Sequence, residues 1–285
     1  VWFDEDVIDQ WEHDNVEVRA GHPFVNSDLA IETLLMLREL FRLPYRQTEG
    51  FGRALVKLMD VDVAIPHHTS LQKRAAKLGI TIEVARPESS IDLVVDSTGL
   101  KVYGEGEWKV KKHGADGRRT WRKLLLAVDP DTHMIAAQSL TENRVHDGDQ
   151  VGPLLEQIES DVGTFYGDGA CDQWKVHDSL AEQEIEAVIP PRKNAKIKQH
   201  GNSNEKPLPR DEAIRDIRLL GRKEWKQDVG YHRRSLAETA MFRMKNTFGG
   251  KLNKRSLPNQ ITETAFRCKI LNLFVTLGMP AFLWN

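Results

Sequence analysis

Two short apolar runs, each ending on an acid, constrain this chain most. Ile91-Asp-Leu-Val-Val-Asp96-Ser-Thr-Gly99 alternates aliphatic residues toward Asp96, then gives a turn signal. Val162-Gly-Thr-Phe-Tyr-Gly-Asp168-Gly-Ala-Cys-Asp172 repeats the plan: a short strand, an acid, a glycine and a helix start. A carboxylate near a buried strand end is costly unless something pairs with it. A divalent metal is one such partner; a solvated Asp capping a turn is the plainer reading. In the second run Asp172 competes with Asp168, because an acid at a helix start is also favoured by the macrodipole. Asp168 is preferred because it stands directly at the strand end.

The chain between and after these runs alternates strands with helices. Trp121–Val128 reads as a buried strand and Met134–Leu140 as its hairpin mate across Asp129-Pro-Asp. The spacing predicts helices over Asp149–Ile158, Trp174–Glu184 and Asp211–Leu220. Ala187–Ile189 reads as a short strand stopped by Pro190-Pro191. These elements predict a mixed α/β core.

A third acid lies in Tyr231-His-Arg-Arg-Ser-Leu-Ala-Glu238-Thr-Ala-Met-Phe-Arg-Met-Lys245. Tyr231, Arg234, Glu238 and Lys245 fall at offsets that keep four polar side chains on one side of an α-helix. A carboxylate is thereby flanked by two cations and an aromatic, as a site for a metal ion beside a phosphate requires. An amphipathic helix with a solvated polar face fits the same spacing.

The spacing is the Y-x2-R-x3-E-x6-K signature of bacterial insertion-sequence transposases, and the chain resembles the IS5 family within the larger IS4-like group. Gly167-Asp168-Gly-Ala-Cys-Asp172 resembles that family's G-D-G-A-x-D pattern. The resemblance covers essentially the whole chain and implies an RNase H-like catalytic core with Asp96, Asp168 and Glu238 as its catalytic acids. They would hold two Mg²⁺ ions, with Mn²⁺ as a substitute. Arg234 and Lys245 would hold phosphates near the scissile bond, and Tyr231 would stack on a base or bond a phosphate. The implied substrates are double-stranded element ends, with their terminal inverted repeats, and target DNA. The implied assembly is a homodimer on DNA in the cytoplasm. A nuclease without strand transfer would share this metal chemistry; a non-catalytic DNA-binding relative would not need the intact acids.

Charge is segregated, although the net charge is only −2. Residues 192–255 hold 18 Lys+Arg against 7 Asp+Glu, residues 101–123 hold 8 against 3, and residues 1–30 hold 8 acids and one Arg. Such segregation gives a positive face for phosphates at near-neutral overall charge, or a solvated helix surface. Arg192 and Lys193 open the basic stretch Arg192–Lys198 and are expected to contact DNA. The interval 192–228 reads as an insertion in the core; its Gly201–Pro209 part suits a mobile loop. Gly104-Glu-Gly106 is too weak a pattern for a phosphate loop.

The first 85 residues read as a helical domain, and residues 86–285 as the catalytic domain. Ser27 suits the cap of one helix and Pro44 the first turn of the next. A third helix would be capped by Thr69 or Ser70 and closed by Gly79. Three short helices fit a helix-turn-helix or a dimerisation domain; Lys73, Arg74 and Lys77 favour DNA. Cys171 and Cys268 lack metal-like spacing and read as buried thiols, and His67-His68 as loop residues. No apolar run is long enough to span a bilayer. The chain begins with Val1 where family members usually carry more sequence, so a fragment or an unusual start codon is expected.

Overall fold

The computed structural model describes residues 5–15, 23–75, 77–82, 90–102, 121–199 and 207–278. The glycine pair 104–106, most of the basic stretch 101–123, the polar boundary around 85–89 and the loop 201–206 lie outside the described residues.

The chain divides into two compact units, residues 1–81 with 253–270 and residues 82–252 with 271–285. The first unit contains helices α1 (Glu5–Asp9), α2 (Asp28–Phe41), α3 (Tyr45–Leu58) and α4 (His68–Ala75), and the start of the last helix, α10 (Leu257–Gly278). Ser27 caps α2 by accepting the Ala30 N–H at 3.1 Å, as its position predicts. Ala30, Ile31, Leu34 and Leu35 form the buried stripe of α2. Trp11 is fully buried, and its indole N–H donates to the Ala64 carbonyl at 2.8 Å. Pro44 stands one position ahead of α3 and acts as its cap, with extended backbone.

The start of α4 departs from expectation. Neither Thr69 nor Ser70 caps it; the helix begins at His68 and ends by Ala75, short of Gly79. Glu49, from α3, accepts both the His68 backbone N–H and His68 Nδ1 on Oε2, each at 2.8 Å. Arg53 holds Oε1 at 2.7 Å. A carboxylate from a neighbouring helix thus does what a local hydroxyl was expected to do, and no local pattern reveals it. Glu49→Ala should lower stability by about 1 kcal/mol, the usual worth of a cap, as read from the denaturant midpoint of the full chain.

The second unit is built on a mixed sheet of β1 (Ile91–Val102), β2 (Trp121–Val128), β3 (Ile135–Glu142), β4 (Val162–Tyr166), β5 (Glu186–Val188) and β6 (Lys251–Leu252). Its order is β3-β2-β1-β4-β5, with β6 also on β1. The first three strands are antiparallel neighbours; β4 and β5 run parallel to β1. That arrangement is the core of an RNase H-like fold.

Helices α5 (Val151–Leu155), α6 (Trp174–Glu182), α7 (Pro209–Leu220), α8 (Arg222–Asp228) and α9 (Ser235–Phe248) complete the second unit. Alternation along β1 sends Ile91, Leu93 and Val95 into one core, where Leu125, Phe165 and residues of α5 and α6 meet them. The opposite face carries Asp92, Val94 and Asp96 and lies under α9. The helix expected over Asp149–Ile158 is shorter: a 3₁₀ turn at Asp147–Asp149 leads into α5.

Strand β1 does not stop at Asp96. It continues through Ser97-Thr98-Gly99 to Val102, because β2 pairs with it from Val94↔Val128 to Lys101↔Trp121. A local turn signal is overridden where a partner strand pairs with the backbone groups that face it. Trp121 lies across Gly99, where a Cβ would come within 3.1 Å of the indole.

Candidate active site

The parallel register brings Asp168 towards Asp96. Val94 pairs with Tyr166; Asp96 lies two residues further along β1, and Asp168 lies two residues past Tyr166, in the turn that follows β4. The two acids are near enough for the charge of Asp168 to raise the pKa of Asp96. Among the described residues, the β4 side of β1 has no strand partner past Val94 until β6 joins at Lys101. The acids stand at that gap.

Gly167 makes the turn after β4 possible. A Cβ there would lie 2.9 Å from the Phe165 ring and 3.1 Å from Cys171 Cβ. Asp168 then accepts the Ala170 N–H at 2.8 Å, which fixes the carboxylate at the head of the turn. The Cys171 thiol is pushed up to about 12, by burial first and then by the charge of Asp168. It is a buried thiol, as its spacing predicts.

Asp172, the competing acid, is occupied elsewhere. Its side chain is fully buried; Arg210 donates Nε at 2.6 Å and Nη2 at 3.1 Å, and the Arg192 backbone N–H donates at 2.8 Å. Burial opposes its charge, but His177, Arg210 and the Arg192 backbone hold its pKa far below the ordinary carboxylate range. Asp172 therefore ties α7 and the segment after β5 to the turn that carries Asp168.

Tyr231–Arg234 is a 3₁₀ turn, not the first turn of the Glu238 helix; α9 begins at Ser235. In 3₁₀ geometry residues i and i+3 eclipse, so Tyr231 and Arg234 still share a side. Gly230 enters the turn with φ of 65°, which favours glycine. Consecutive arginines then reach the same face of β1. Arg233 pairs with Asp92 and Asp131, and Asp92 also accepts the Thr164 N–H at 3.0 Å. Arg234 pairs with Asp96 at 3.4 Å and with Glu238 at 3.1 Å. The sequence reading missed Arg233 and Asp92, the pair that anchors the turn; two acids four apart on one strand face, opposite two consecutive arginines, were the signal available.

Burial raises the pKa of Asp96; Arg234 opposes the shift, while Asp168 and Glu238 reinforce it. Tyr231 is raised by burial as well, and feels Arg234, Asp168 and Asp96. Its ring is covered by Lys226, 4.5 Å from the centroid. Three acids, Tyr231 and Arg234 thus share one electrostatic environment.

The three carboxylates do not all come within 4.8 Å of one another. Among the described residues that closeness is reached by Glu49, His67 and His68, which are accounted for by the α4 cap. Arg234 stands between Asp96 and Glu238, and the Glu238 side chain is 61% exposed, so it is free to change rotamer. Oxygen-only donors with surplus negative charge suit a hard divalent ion. Arg234 Nη1 is buried and faces Asp96 Oδ1 at 3.4 Å without a well-aligned hydrogen bond, which leaves it donor capacity for a phosphate oxygen.

Lys245 is exposed two turns beyond Glu238, and Phe242, 68% exposed, lies between them on the same side of α9. The structure does not bring Lys245 to the carboxylates. Arg192 is exposed and its Nε donates to the Gly169 carbonyl at 3.2 Å, beside the Asp168 turn; Lys193 is exposed next to it. Among the described residues no helix is long and apolar enough to cross a membrane.

A family model described as Transposase DDE domain matches residues 88–273, and a second of the same description matches residues 1–105. Among solved structures, the piggyBac transposase synaptic complex with hairpin DNA is similar at 10% identity and a TM-score of 0.43, over 96% of this chain and 72% of that one. The Mos1 mariner paired end complex with Mn is similar at 10% identity and a TM-score of 0.25, over 90% of this chain and 82% of that one. Since one of the two family models alone spans most of the sequence, the chain belongs to the DDE transposase family.

Proposed function

We propose that the protein is an IS5-type insertion-sequence transposase that cuts element ends and joins the freed 3′-OH to target DNA. The observation that supports this reading is the grouping of three acids, with Asp168 and Glu238 near enough to raise the pKa of Asp96 and Arg234 linking Asp96 to Glu238. Asp96, Asp168 and Glu238 are the residues that would hold two Mg²⁺ ions, with Mn²⁺ as a substitute. Such ions, when bound, activate a nucleophile and stabilise the leaving oxygen of an in-line displacement at phosphorus. Arg234 offers its buried Nη1 to a phosphate oxygen and keeps the acids from repelling one another. Tyr231 holds Arg234 in place. Phe242 offers a base an exposed ring, and Lys245, Arg192 and Lys193 neutralise backbone phosphates.

One site can serve cleavage and joining, because both steps are phosphoryl transfers that differ in nucleophile. A homodimer on DNA follows from the need to process two ends together, with the N-terminal helices as interface or end-reading module. The deciding assay supplies duplex DNA carrying the element's terminal inverted repeats, a target plasmid and Mg²⁺. Joined products support a transposase; nicked ends alone, under conditions where cleavage is complete, support a nuclease.

Arg234 and Lys245 separate positioning from chemistry. Each true phosphate contact contributes about 0.9 to the slope of log affinity against log salt. Arg234→Ala and Lys245→Ala should each flatten that slope by about one unit, on specific and unrelated duplexes alike. Unchanged slopes with an earlier melt would assign the two cations to the fold instead.

A further inference from the structure

We propose that a cavity within the first unit is a binding pocket for a phosphate group carried on a nucleotide-sized ligand. The cavity, of about 440 Å³, lies among α2, α3, α4, residues 253–255 and the first turns of α10. Its charges do not balance. Arg267, 1% exposed, is clamped between Glu39 and Glu263, with Nε 2.9 Å from Glu39. Glu263 also accepts the Asn253 and Lys254 backbone N–H groups, at 2.7 and 2.9 Å. The two carboxylates are therefore committed.

Arg38, Lys254 and Arg255 also line the cavity, and among the described residues none of them forms an ion pair. Arg38 and Lys254 crowd one aromatic: the guanidinium lies 4.2 Å and the ammonium 5.6 Å from the Tyr45 centroid. Arg38 Nε is buried and makes no hydrogen bond among the described residues. Burial, and next the charge of Arg38, lower the pKa of Lys254. Two cations that line one cavity, contact the same ring and repel one another, with a buried donor left over, are relieved by an anion within reach of both. An Arg fork beside a Lys is the donor set for phosphate oxygens. The volume holds a nucleotide but excludes a duplex. The phosphate can come from a free nucleotide or from an exposed strand, and the two are separable.

The test uses the full chain in chelator, without divalent metal, so it is independent of the reading of the acid site. Inorganic phosphate, thymidine monophosphate, thymidine and the dinucleotide d(TpT) are titrated calorimetrically. Phosphate and the monophosphate should bind saturably, and thymidine should not. Arg38→Gln and Lys254→Gln should each weaken binding about tenfold, while Lys57→Gln, an exposed lysine of the same unit, should leave it unchanged. Binding of d(TpT) as tight as that of the monophosphate identifies strand phosphodiesters as the source; binding of the monophosphate alone identifies free or terminal phosphates. A readout on the unmutated protein removes dependence on variant folding: saturating phosphate should slow acylation of Lys254 at least severalfold and spare Lys57. No saturable binding up to about 10 mM, a range of weak affinity, or equal acylation with and without phosphate, overturns the proposal.

Discussion

Asp96→Asn, Asp168→Asn and Glu238→Gln should each reduce metal-dependent cleavage at an element end by about a thousandfold or more. DNA binding should survive, because Lys245, Arg192 and Lys193, the proposed phosphate contacts that do not pair with the three acids, are left intact. The variants should also stay folded. Burial, reinforced by Asp168 and Glu238, outweighs the opposing charge of Arg234 and raises the pKa of Asp96, so removing its charge relieves a cost of folding and should not lower the melting temperature in metal-free buffer. Cleavage by any one variant within about tenfold of the parent, judged against the two-metal expectation, would remove that residue from the set. A gel assay on end-labelled duplex, with melting curves on the same preparations, gives both readouts.

Asp172→Asn should do the reverse: a large loss of stability with activity falling only as the fold fails. The change leaves the Arg210 guanidinium, itself 10% exposed, without its counter-charge. Breaking a buried pair from one side costs about 3–5 kcal/mol. The pH dependence supplies a second reading. The folded pKa of Asp172 is depressed, so its contribution is fully present above the unfolded value near about 4 and is lost as pH falls through the lowered folded value. The variant should therefore lose part of the parent's acid sensitivity below that pH. A variant as stable as the parent yet catalytically dead would exchange the roles of Asp168 and Asp172.

The two strand–acid runs and the Tyr-Arg-Glu-Lys spacing were legible because each is local: alternation over a few residues, or offsets along one turn or helix. Local patterns also misled. The Ser97-Thr98-Gly99 turn signal lost to a partner strand that pairs with β1 from Val94 to Lys101. The cap of α4 came from Glu49, nineteen residues away in sequence, rather than from Thr69 or Ser70. Tyr231 and Arg234 share a side through a 3₁₀ turn, which preserves an i, i+3 relation that an α-helix would also give. Long-range partners left little periodic trace. The spacing of Asp92 and Asp96 hints at the Arg233–Asp92 pair, but nothing in spacing gives Asp131 as the second partner of Arg233, or Arg210 as the partner of Asp172. The return of residues 253–270 to the first unit is equally non-local: Arg267 and Glu263 belong to a helix whose later turns count with the second unit.

If Asp96, Asp168 and Glu238 together hold the divalent ions, anomalous diffraction from the protein crystallised with end DNA and Mn²⁺ should show peaks beside the Asp96 and Asp168 carboxylates and within reach of Glu238. Peaks at Asp172, or at Glu49 with His67 and His68, with none between Asp96 and Asp168, would contradict that assignment.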